Sequence, residues 1–192
     1  MSLTTTHKVL IGAGIVAVLL LLWFAGSYNG LVSSDESVTE KWANVQTAYQ
    51  RRADLIPNLV ATVKKYSDYE GELLTQITEA RASVGRASTP AQLSAAGAQM
   101  DSALARLLVV VENYPTLKAN ENYLSLQDEL AGTENRIKVE RDNFNKAVKE
   151  YNVKVRRFPS NVVAGIFGFE TKESFEATAG AEVAPNVGEM LN

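Results

Sequence analysis

The chain has 192 residues, 46% of them hydrophobic and 21% charged, and a formal net charge of -3. That length holds one domain plus an appendage, and the mixed charges leave no basic block for nucleic acid. There is no cysteine and one histidine, His7, which excludes disulfides, thiol catalysis, cysteine lipidation and any histidine-based triad or metal site in the body of the chain.

Residues 1–8 make a short N-terminus, and from Val9 to Asn29 no residue is charged. The run "VLIGAGIVAVLLLLWFAGSY", residues 9–28, is about 20 residues or 30 Å as a helix, the thickness of a bilayer's hydrocarbon. Trp23 and Tyr28 stand at its downstream end, where aromatic rings favour the interface. The expectation is an uncleaved transmembrane anchor; the alternative is a signal peptide cut near Ala25-Gly26-Ser27. Lys8 before the run, against Asp35 and Glu36 after it, puts the N-terminus in the cytoplasm and the domain outside.

Residues 29–158 read as four helices. The first covers about Ser33 to Tyr66, with Ser33 and Glu36 spaced as a capping box. Asn29-Gly30 either breaks the chain before it or lies inside a helix continuous with the anchor. Val38, Trp42, Val45, Tyr49, Ile56, Leu59, Val63 and Tyr66 recur in steps of four and three, with the one gap filled by Arg52, a heptad seam. A second helix covers about Tyr69 to Val84. Thr89-Pro90 caps and opens a third, which Pro115 ends. The fourth runs from about Leu117 to Arg157, with Tyr123, Leu130, Ile137, Phe144, Val148 and Tyr151 on its seam, and Pro159 stops it. The fold class is all-α: a transmembrane helix, then a four-helix antiparallel up-down-up-down bundle with long first and fourth helices. After it, 159–177 is apolar without helical period and is expected to pack near the membrane end of the bundle. Residues 178–192 are expected to be a flexible tail.

Two seams carry polar residues. With the first and fourth helices antiparallel, residues whose numbers add to about 186 face each other. Arg52 then meets Glu134, and an interhelix pair leaves neither charge uncompensated. The pair reads as a register device. On the same register Arg141 faces Val45 and needs another partner, such as Glu79 or Asp101. Pro57 removes a helical hydrogen bond and costs roughly 3 kcal/mol in a helix interior. The apolar phase continues through it, so Pro57 reads as a kink and not a break.

Four blocks, "YNGLVSSDESVTEKWANVQTAYQRRADLIPNLVATVKKY", "ITEARA", "YPTLKANENYLSLQDELAGTENRIKVERDNFNKAVKEYN" and "FPSNVVAGIFGFETKESFE", resemble the hallmark segments of the LemA family, in its order, over about residues 28–177. The resemblance implies an N-terminal membrane anchor, a four-helix bundle, a bacterial envelope protein and no established enzymatic activity. A related branch is associated with magnetosome membranes. Some members carry a lipobox cysteine, which this chain lacks.

The expected function is therefore a single-pass structural or interaction protein of the bacterial inner membrane, bundle on the extracytoplasmic side, without catalytic residue, cofactor or metal. Its expected partners are the bilayer through 9–28, further copies of the chain, and other envelope proteins; nucleic acid is not among them. The segment "NVVAGIFGF" at the membrane end is expected to pack under the bundle, to lie in the lipid interface or to contact a neighbouring copy, the last through Val162, Val163, Ile166, Phe167 and Phe169. The alternatives are a ligand-sensing or adaptor bundle and, less favoured, an enzyme. Carboxylate neighbours such as Asp128-Glu129 and Glu70/Glu72 read as solvated helix faces.

Overall fold

The computed structural model describes residues 5–65 and 71–176. Among them are six helices and no strand: α1 Thr5–Lys64, α2 Gly71–Arg86, α3 Pro90–Glu112, α4 Pro115–Lys118, α5 Glu121–Arg156 and α6 Ser160–Phe167. The expected tail, 178–192, and the two tyrosines at the first turn of the sequence pattern, Tyr66 and Tyr69, lie outside the described residues.

α1 is one helix of 60 residues. No cap interrupts it at Ser33. Ser34 Oγ donates to Gly30 O at 3.0 Å, the backbone contact of a residue in mid-helix, so the Ser33–Glu36 capping box does not form. Asn29 and Gly30 each cost about 1 kcal/mol or less against alanine. The apolar helix upstream has already met the cost of nucleation, so propagation carries through them. The helix also continues through Pro57.

By its contacts the chain divides into two compact units, Met1–Arg52 with Ala131–Glu173, and Ala53–Leu130 with Ser174–Asn192. In the first, α1 contributes buried Val38, Val45, Ala48 and Tyr49, and α5 contributes Ile137, Phe144, Ala147, Val148 and Tyr151. The sevenfold spacing of 137, 144 and 151 keeps one stripe of α5 turned inward. The Trp42 and Phe144 rings lie 5.4 Å apart, and Arg52 lies opposite Glu134. Numbers rise along α1 as they fall along α5, so this pair of helices is antiparallel, with facing residues adding to about 186.

In the second unit, α1 buries Ala53, Ile56, Leu59, Val60 and Val63. α2 packs on α3, burying Ile77, Ala80 and Val84 from one helix and Leu93, Met100, Leu104 and Leu107 from the other. Thr89 caps α3, its hydroxyl accepting from Gln92 N at 3.2 Å, with Pro90 in the first turn, as its sequence dictates. The fourth helix of the sequence pattern is split. α4 is a single turn that buries Leu117 completely. α5 starts afresh because Asn120 Oδ1 accepts from Tyr123 N at 3.2 Å, offering the backbone a local partner in place of a continued helix.

The segment after Pro159, expected to be non-helical, is the eight-residue α6. It has apolar side chains both inward, at Val163 and Ala164, and outward, at Val162 and Ile166, so no amphipathic period shows in its sequence. Gly168, at φ 73°, ends it, the left-handed position that favours glycine, and Phe169 N donates back to Ala164 O at 3.0 Å.

Candidate functional site

The first unit's most distinctive surface lies where α6 meets α1. Val163 and Ala164 of α6 bury against Leu31, and Phe24, Val155 and Phe169 pack around them. Phe167 stacks obliquely on Tyr28 at 4.7 Å and on Phe24 at 5.8 Å, and Phe169 meets Tyr28 edge-on at 6.0 Å. Such aromatic contacts each add about 0.5–1.5 kcal/mol beyond the area they bury. Val163, expected at a contact between copies, is fully buried within this chain's own packing and Phe169 is half-buried, whereas Val162, Ile166 and Phe167 are 50%, 63% and 50% exposed.

A strap after α6 fastens this surface. Asn152 of α5 makes two bonds to the backbone of Lys172: its Nδ2 donates to Lys172 O, and its Oδ1 accepts from Lys172 N, each at 2.8 Å. The Lys172 ammonium pairs with Asp35 of α1 and lies 5.2 Å above the Tyr151 ring, an attractive cation–π placement. Burial first, then the charge of Asp35 and a hydrogen bond to it, then the charge of Glu170, push the Tyr151 phenol above its usual value. Lys154 Nζ donates to Gly30 O at 3.3 Å and to Ser34 Oγ. Ser160 Oγ lies 2.6 Å from Lys154 O and 2.9 Å from Arg157 O, which ties the start of α6 to the end of α5. Together these contacts tie 160–172 to both long helices of the unit.

Farther along α1, Arg52 Nη2 stands 3.9 Å from Glu134 Oε2; the arginine side chain is 11% exposed and the carboxylate 72%. That is the outer reach of an ion pair, not the two-bond fork of a closely seated arginine and carboxylate, and its exposed partner is screened by solvent. The buried carboxylate of α5 is instead Glu140, 6% exposed. It takes Arg136 Nε at 2.8 Å and Asn143 Nδ2 at 3.4 Å, neighbours within its own helix. The sequence pattern missed it because it stands three residues past Ile137 and off the heptad stripe. Across from it, Lys41 donates to Glu40 at 2.8 Å. That bond, the Glu40 charge and, more weakly, Glu140 hold the lysine above its ordinary value.

In the second unit, α2 and α3 enclose an open groove of about 630 Å³, walled by Gln76, Glu79, Ser83, Arg86, Gln99 and Arg106 over a floor of Ala80 and Ala103. Arg106 Nη1 donates to Gln76 Oε1 across it at 2.8 Å. Near it, Arg81 Nη2 lies 3.8 Å from Asp54 Oδ1. Among the described residues no three His, Cys, Asp or Glu side chains converge as a metal would need.

These features describe an all-helical protein with one helix long and apolar enough to cross a membrane. The chain belongs to the LemA family, whose profile matches residues 41–188. It is similar to Magnetosome protein MamQ 2 of Paramagnetospirillum magneticum, 26% identical across 84% of this chain and 71% of that protein. Protein LemA of Metamycoplasma hominis is 25% identical across 88% of this chain and 78% of its own length. Magnetosome protein MamQ of Magnetospirillum gryphiswaldense is 26% identical across 77% and 64%.

Proposed function

We propose that this chain is a membrane-anchored, non-catalytic structural protein of the bacterial inner membrane that associates with copies of itself. In this reading 9–28 crosses the bilayer, and the body beyond it is an up-down-up-down bundle on the extracytoplasmic side, with α1 bent at Pro57. The observation that carries the reading is the exposure of α1's first half. Ile11, Ile15, Leu19, Leu20 and Leu22 are each more than half exposed in a helix that runs unbroken into the buried seam. Water does not favour such a surface, and lipid does. The relatives named as magnetosome proteins support a role at a membrane.

The test is threefold. Alkaline carbonate should leave the chain in the membrane pellet. Protease added to spheroplasts should cut the body and spare the N-terminus. Light scattering of the full chain in nanodiscs or mild detergent should give more than one copy. A strictly monomeric particle at high concentration would sink self-association, and release by carbonate would sink the anchor.

A second reading, a ligand-sensing bundle, is favoured by the polar groove between α2 and α3. It predicts that a small polar ligand raises the melting temperature of the full chain, and that Arg106→Ala abolishes the rise.

A further inference from the structure

We propose that α6 is a second membrane contact: a short interfacial helix that rests on the headgroup layer of the same bilayer that α1 crosses. The inference rests on the reading of 9–28 as a transmembrane span and goes beyond it, because the span alone requires nothing of α6.

Position comes first. A span of 20 residues rises about 30 Å and ends near Tyr28, at the edge of the hydrocarbon. Phe167 at the end of α6 stacks on Phe24 and Tyr28, and the buried side of α6 is seated on Leu31. The helix is therefore fixed at the height of α1 where a bilayer's interface begins, and aromatic rings favour that layer.

Surface chemistry comes second. Phe158, Val162 and Ile166, at successive steps of four residues, are 77%, 50% and 63% exposed, and Phe167 adds a half-exposed ring. The body of the chain keeps most of its large apolar side chains buried, yet here four lie open within ten residues, beside an apolar span. Arg156 and Arg157, both exposed, precede this surface. An apolar face of two rings and two branched chains with two cations at its edge matches acyl chains beneath anionic headgroups. A second copy of the chain is the competing occupant, and the experiment below separates the two.

The chain has no cysteine, so single labels can be placed at will. Full-length Val162→Cys, Ile166→Cys and Val139→Cys proteins, each carrying an environment-sensitive fluorophore, would be reconstituted into vesicles of phosphatidylcholine and phosphatidylglycerol. The 139 site is the control: it is exposed on α5, far along the helix from α6. Lipids with a spin-labelled acyl chain should extinguish most of the emission at 162 and 166 and leave 139 unchanged. Arg156→Gln with Arg157→Gln should weaken the quenching in vesicles containing phosphatidylglycerol and not in pure phosphatidylcholine. Labels at 162 and 166 that behave like 139, in a chain still retained by the vesicles, would overturn the inference and leave the anchor standing. Efficient disulfide cross-linking through 166 without lipid quenching would overturn it in favour of a second copy. A chain that the vesicles do not retain would overturn the anchor and this inference together.

Discussion

The two halves of α1 share one backbone conformation and obey opposite solvents. From Val9 to Leu22 every large apolar side chain is open, from 52% exposed at Ile11 to 69% at Leu21. From Leu31 to Val63 the buried apolar residues recur along one stripe, with Leu31 at 1% and Val45, Leu59 and Val63 at 0%. Helix geometry is identical in both; what changes is whether apolar residues occupy every face or only one. An all-round apolar helix needs a continuous apolar medium, whereas a striped one needs a partner helix. The division of the chain is therefore chemical, and it falls near Tyr28 without any break in the hydrogen-bond ladder.

The sharpest way to break that contrast is to damage each half in turn and look for cross-effects. Phe144→Ala removes the ring that faces Trp42 at 5.4 Å and should destabilise the body by about 3–5 kcal/mol. Chemical denaturation of the full chain in detergent measures this, and membrane retention should not change. Leu20→Arg places a charge in the middle of the exposed half, at a cost of about 3 kcal/mol for insertion. Carbonate extraction should then release part of the protein, while the denaturation midpoint of the body stays at the parent value. A body midpoint that fell with Leu20→Arg as far as with Phe144→Ala would mean that the two halves are one cooperative unit.

A smaller, pH-dependent effect belongs to α5, which packs on the striped half. Burial and the Asp35 charge raise the Tyr151 phenol, and burial raises Tyr123, from the ordinary 10.0. A raised phenol favours the protonated folded chain. Stability is thus complete below about pH 10 and is lost as pH rises through the higher folded values. Tyr151→Phe should make the alkaline loss shallower, leaving the Tyr123 share. An alkaline slope identical to the parent's would remove Tyr151 from this account.

Residue spacing made some of this architecture readable and concealed the rest for definite reasons. The facing of Trp42 and Phe144 follows from two heptad stripes and one antiparallel register, because long, regular helices repeat one geometric rule many times. The Thr89-Pro90 start of α3 is equally plain, since both residues act locally. α6 was hidden because eight residues with apolar groups on opposite faces carry no period. The α4–α5 break was hidden because one Asn120 side-chain bond decides it. The strap was hidden because Asn152 binds a backbone 20 residues away, and backbone partners leave no trace in side-chain pattern. The groove between α2 and α3 has small residues, Ala80 and Ala103, in its lining, and small residues carry no pattern that marks a groove.

Arg52 and Glu134 give the smallest and most discriminating effect, because they stand where the buried stripe of α1 meets solvent. Their register is the one that the apolar pairs set, but the 3.9 Å separation and the 72% exposed carboxylate put the pair among surface ion pairs, worth about 0–1 kcal/mol. Glu134→Gln should therefore lower stability by less than about 1 kcal/mol, and the difference from the parent should fade as salt approaches about 1 M, where screening reaches 3 Å. Arg52→Met should do no worse, because its long apolar stem keeps the packing and removes a mostly buried charge. If the glutamine variant instead lost several kcal/mol, insensitive to salt, the pair would be a buried determinant of register. The α1–α5 alignment would then rest on that charge pair as much as on the aromatic contact between Trp42 and Phe144.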